Sequence, residues 1–86
     1  MDMHNPLHPG EFILEVYLRP QKISGRRCAE KLGIAPSTLN RILSGRGKVT
    51  ATMAQRLASG LGSSPESWLA MQEIYDRWVE KQRNAA

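Results

Sequence analysis

Apolar side chains recur along this chain at intervals of three and four residues, in stretches punctuated by Gly, Pro, Ser and Thr. That spacing lines one face of a helix. Val, Ile, Thr and the aromatics never alternate with polar residues over a useful length, so strands are not expected. The pattern predicts an all-α chain of five short helices. The first starts at Pro9-Gly10 and is expected to stop before Arg19-Pro20, because proline lacks a donor and restricts its predecessor. Phe12, Ile13, Val16 and Tyr17 share its inner face, and Leu14 falls outside it, where it is expected to meet a protein partner. The second helix takes Ser24 as N-cap, turns Cys28, Ala29 and Leu32 inward, and ends at Gly33. The third opens with Pro36 in its first turn and ends at Ser44-Gly45. The fourth is capped by Thr50 and carries Met53, Ala54, Leu57, Ala58 and Leu61 inward to Gly62. The fifth is capped by Ser64 and spans about 65–82, with a frayed tail from Arg83 to Ala86.

Only Gly33-Ile34-Ala35 separates the second helix from the third, which makes 24–44 a helix-turn-helix. Ala29 is small enough for a close crossing, Gly33 suits the left-handed turn residue, and Ile34, Leu39 and Ile42 wedge the two helices together. At about 100° per residue, Leu39, Ile42 and Leu43 share one side of the third helix. Ser37, Asn40, Arg41 and Ser44 fall opposite, and Thr38 lies on the flank. A Ser, Asn and Arg face suits the major groove, where Asn pairs with adenine and Arg with guanine through two bonds each. Ser37, Asn40, Arg41 and Ser44 are therefore expected to read base edges, and Thr38 to meet phosphate.

Charge sharpens this picture. The 86 residues carry a net +4. Over 34–62 the cations Arg41, Arg46, Lys48 and Arg56 stand without a single carboxylate, so the excess lies in the middle of the chain. Such a field favours a polyanion. In Gly45-Arg46-Gly47-Lys48-Val49-Thr50, glycines let the backbone approach phosphate while Arg46 and Lys48 neutralise it, and Thr50 adds a contact at a helix N-terminus. The run does not fit a nucleotide phosphate loop, whose glycines and Lys-Ser/Thr pair are spaced differently and follow a strand.

The run from Ile23-Ser24 through Leu43-Ser44-Gly45 resembles the phage-repressor (Cro/C1, or XRE) helix-turn-helix. Its flanks resemble the HigA-type (VapI-like) antitoxins: His8-Pro9-Gly10-Glu11, the run Val49 to Ala58, and Ser64-Pro65-Glu66-Ser67-Trp68-Leu69 followed by Gln72 and Tyr75-Asp76. The likeness covers residues 7–77. It implies a phage-repressor-like fold and a homodimer that binds a double-stranded DNA operator and represses its own operon. It also implies a HigB-type toxin partner, a small basic ribonuclease held inactive by the antitoxin. Arg26 and Arg27 stand where such repressors often place a polar residue on phosphate, so either is a candidate for that contact. Ala35-Pro36 departs from the family by lacking a polar cap on the recognition helix.

Other chemistries find little support. His4 and His8 are four apart, but Pro6 interrupts them and no Cys or acidic partner beyond Glu11 gives a metal spacing, so no metal or cofactor is expected. The lone Cys28 reads as a buried apolar residue. No Ser-His-Asp or paired-carboxylate arrangement stands out, and the chain reads as a non-enzyme. Length and composition suit one domain over 1–86, with no membrane span or leader, and a cytoplasmic setting. Trp68, Met71, Tyr75 and Val79 form one stripe of the fifth helix, and Ile74 and Trp78 a second. Two stripes want two packing partners, so Ile74 and Trp78 are expected in a dimer interface. Three function classes remain open: an antitoxin that represses, a plain phage-type repressor, and a toxin-binding module with weak DNA binding.

Overall fold

The computed structural model describes residues 6–85, which form five helices without strands, as the apolar period predicts. Helix α1 covers 9–21 as one rod of three pieces: α-helix Pro9–Ile13, a π turn Leu14–Leu18 and a last α turn Arg19–Gln21. α2 is Gly25–Leu32, α3 Pro36–Leu43, α4 Ala51–Leu61 and α5 Pro65–Ala85.

The sequence places the end of α1 too early. The rod continues through Arg19-Pro20 because the π turn moves the backbone pairing there: Arg19 N–H bonds the Leu14 carbonyl, five residues back. Pro20 then falls in the first turn of the following α segment, where a missing N–H costs nothing. Lys22, left-handed at φ 54°, ends the rod, with Ile23 N–H on the Leu18 carbonyl at 2.9 Å and Lys22 N–H on the Arg19 carbonyl at 3.2 Å. The wider turn also corrects the inner face. A π turn brings residues four and five apart together, so Ile13 aligns with Tyr17 and Leu18, and Val16 is left 44% exposed. Leu14, expected outside, is half-buried and packs against the core.

The remaining boundaries follow their caps. Ser24 Oγ accepts from Arg27 N–H at 3.1 Å, and Thr50 Oγ1 from Met53 N–H at 3.2 Å. Gly33, at φ 71°, closes α2 while Ile34 N–H reaches back to the Ala29 carbonyl at 3.0 Å. Ser64 Oγ accepts from Ser67 N–H at 3.1 Å at the head of α5, which continues through Arg83 and Asn84.

Ile13, Ala29, Leu39, Ile42, Leu57 and Trp68 centre the core. It joins α1 to α3, α2 to both α3 and α4, and α4 to α5. Gly10 makes the closest approach: a side-chain carbon there would lie 1.9 Å from the Ile42 carbonyl oxygen, so α1 rests directly on the backbone of α3. Cys28 is buried as expected, and burial pushes its thiol pKa up against the opposing pull of Lys31. Among the described residues no helix is long and apolar enough to cross a membrane.

Candidate nucleic-acid interface

Helix α3 is oriented by Leu39 and Ile42, both buried. Their spacing leaves Ser37, Thr38, Asn40, Arg41 and Ser44 exposed, as helical periodicity requires. Ala35 caps α3 without a side-chain bond and Pro36 has no N–H. The first intrahelical bond of this end is Leu39 N–H to the Ala35 carbonyl at 3.2 Å. The amides ahead of it give the end a partial positive charge.

The loop after α3 is drawn tightly onto the helix. Arg46 and Gly47 N–H groups both bond the Arg41 carbonyl, at 2.9 and 2.8 Å. The Ser44 hydroxyl donates to the same carbonyl at 3.2 Å. Thr38, Arg41, Lys48 and Thr50 thereby surround one shallow cavity of about 230 Å³. The fold thus brings the middle of α3, the loop and the head of α4 together. Asn40 leans the other way, its Oδ1 lying 3.6 Å from the position a side-chain carbon would take at Gly25, near the head of α2. Arg26 is exposed on that head, whereas Arg27 lines a separate cavity between α1 and α2 with Tyr17, Leu18 and Cys28. Arg46 borders a third cavity, against α5.

Several residues that shape this surface are not evident from periodicity or charge. Gln72 is buried on α5, and its Oε1 accepts Val49 N–H at 2.9 Å. Its Nε2 donates to Asp76 Oδ1 at 2.9 Å, and Asp76 Oδ2 lies 3.6 Å from Lys48 Nζ. The available signal was the run Trp68, Gln72, Asp76, two polar residues at helical spacing from a core tryptophan. His8, also buried, accepts Gly10 N–H on Nδ1 at 2.9 Å and so caps α1. Burial lowers its pKa, against a hydrogen bond to the Gly47 backbone and the charges of Asp76 and Glu11, so the neutral ring serves as the cap. Its ring stands at a right angle to that of Tyr75, with ring centres 4.9 Å apart. Arg56, counted above with the basic middle, donates to the Leu32 and Gly33 carbonyls at 3.4 and 3.2 Å. Its charge complements the C-terminus of α2.

On α5 the two apolar stripes separate. Trp68 is buried and Met71 packs on the core, while Ile74 is 42% exposed and Trp78 half-buried beside Tyr75. Among the described residues no group of His, Cys, Asp and Glu could hold a metal, and His4 lies outside them.

A helix-turn-helix family model matches residues 14–69. Antitoxin HigA-1 of Vibrio cholerae is 35% identical over 78 residues, which cover 91% of this chain and 73% of that protein. The solved structure of antitoxin GraA superposes with a TM-score of 0.87 at 39% identity, covering 93% of this chain and 86% of that one. The antitoxin HigA of Pseudomonas aeruginosa, solved with the higBA promoter, superposes at 0.85 with 29% identity, covering 93% and 87%.

Proposed function

The chain belongs to the Cro/C1 helix-turn-helix family in its HigA-type antitoxin branch, and from that premise we propose that it is a DNA-binding antitoxin that represses its own operon and neutralises a HigB-type ribonuclease. The observation that carries the DNA-binding part is the gathering of Thr38, Arg41, Lys48 and Thr50 around one surface cavity beside the exposed face of α3. The likeness to an antitoxin solved with its promoter supports the same reading. In it, residues 1–86 act as one domain and α3 enters the major groove. Ser37, Asn40, Arg41 and Ser44 face base edges. Arg26, Arg27, Thr38, Arg46, Lys48 and Thr50 face phosphates. The toxin assignment rests on family membership, and co-expression with a short neighbouring reading frame tests it: rescue of growth and co-purification support it, and a neighbour harmless on its own overturns it.

Base and phosphate contacts have different signatures. Arg41→Ala is expected to cost about 1–3 kcal/mol on the operator and to relax preference at one position of each half-site, because a two-bond base contact carries sequence information. Lys48→Ala is expected to weaken operator and random duplexes alike and to flatten the salt dependence, since fewer counterions are released. Titrating both variants against both duplexes over a salt series checks this. Equal weakening of both duplexes by Arg41→Ala would make it a phosphate contact.

The protein functions as a homodimer in this reading, with Ile74 and Trp78 in the interface. Their stripe lies beside the one that packs on the chain's own core, and it presents Ile74 to solvent. Sedimentation at micromolar concentration is expected to give a dimer, and Trp78→Glu a monomer. A Trp78→Glu dimer of unchanged strength would move the interface elsewhere.

A further inference from the structure

Two consecutive residues of the loop are tied to α5. Lys48 pairs with Asp76, and Val49 N–H bonds Gln72. Gln72 uses both ends of its amide: Oε1 holds the loop and Nε2 holds Asp76 Oδ1. Asp76 is thereby fixed through one oxygen, and its other oxygen faces the Lys48 ammonium at 3.6 Å. Lys48 stands on a divide. Its side chain borders the 230 Å³ cavity with Thr38 and Arg41 on one side, and a cavity of about 540 Å³ with Asp76 and Tyr75 on the other. Its side chain is 72% exposed, while that of Asp76 is 38% exposed. A sheltered, oriented carboxylate thus holds an accessible ammonium.

We propose that Asp76 is a stand-in for DNA phosphate: it holds Lys48 toward α5 in the free protein and competes with the nucleic acid for it, setting how strongly the loop grips DNA. The inference rests on the reading of Lys48 as a phosphate contact. An exposed ion pair is weak, so a phosphate displaces Asp76 readily, and the pair lowers DNA affinity without abolishing it. It also offsets part of the counterion release, because the vacated carboxylate regains a cation when Lys48 leaves. Gln72 is a positioning residue in this arrangement, since it anchors both the loop backbone and the competing carboxylate.

The experiment measures affinity for a random-sequence duplex and for the DNA upstream of the chain's own gene, over a salt series. It compares the intact protein with Asp76→Asn, Lys48→Ala, the double variant and Glu80→Gln. Asp76→Asn keeps an acceptor for Gln72 but loses the charge. It is expected to tighten both duplexes roughly two- to fivefold, the range an exposed ion pair supports. The salt dependence is expected to steepen by up to about one released cation. Glu80 borders the same cavity, but the carboxylate facing Lys48 is that of Asp76, so Glu80 is the control for net charge, and Glu80→Gln is expected to leave the slope unchanged. In the Lys48→Ala background, Asp76→Asn is expected to add nothing. Binding by Asp76→Asn no tighter than wild type, or a gain that survives Lys48→Ala, overturns the proposal while the DNA-binding reading stands. Failure of the intact protein to bind either duplex overturns that reading itself. Thermal melts accompany each variant, and Asp76→Ser carries the same test if Asp76→Asn melts early.

Discussion

Gly10→Ala is expected to destabilise the protein by roughly 3 kcal/mol or more and to abolish DNA binding with it. Local preference points the other way, because alanine is favoured over glycine inside a helix by about 0.8–1.0 kcal/mol. Packing decides the sign. The added carbon would lie 1.9 Å from the Ile42 carbonyl oxygen, 2.7 Å from its carbon and 2.8 Å from the Leu43 Cα. All three are backbone atoms that no rotamer change can remove. Relief requires α1 to lift from the end of α3, which carries the loop with its cations. Gly25→Ala is the internal control. A carbon there meets Asn40 Oδ1 and Leu43 Cδ1 at an ordinary 3.6 Å, so it is expected to stay within about 0.5 kcal/mol of wild type. Urea unfolding followed by circular dichroism reads both. A Gly10→Ala protein as stable as wild type would mean that α1 does not sit on α3 as described.

Trp68→Ala is expected to cost about 3–5 kcal/mol, the range for removing a buried aromatic ring. Trp68 is 1% exposed, and its ring centre lies 5.8 Å from that of Phe12 and 6.4 Å from that of Tyr17. Its indole N–H donates to the Gly62 carbonyl at 3.0 Å, which fixes the entry of the chain into α5. Trp68→Phe separates the two contributions. It keeps an aromatic ring but loses that donor, so about 1 kcal/mol of its cost belongs to the unpaired carbonyl. Chemical denaturation gives the stability of each variant, and DNA titration gives the consequence, since an unseated α5 withdraws Gln72 and Asp76 from the loop. A loss below about 1 kcal/mol in Trp68→Ala would show that the ring is not part of the core.

The five helices, their order and most of their ends were legible in the residues themselves. Ser24, Gly33 and Thr50 act within a few residues of where they stand, through caps and a left-handed turn. The inward rows of α2, α3 and α4 follow from helical spacing alone. The exposed polar face of α3 was readable for the same reason, since burying Leu39 and Ile42 leaves little freedom for the others. What periodicity could not give was decided between elements. The π turn in α1 changes its period, so Val16 and Leu14 exchange expected places and Pro20 ceases to be a stop. Arg56 counts as surface charge until α4 packs beside the end of α2 and offers it two carbonyls. Gln72 meets Val49 across 23 residues of sequence, and Asp76 meets Lys48 only because α5 lies along the loop. A cap or a helical period is set by neighbours along the backbone, whereas these contacts are set by the crossing of helices, and only the packed core holds that crossing.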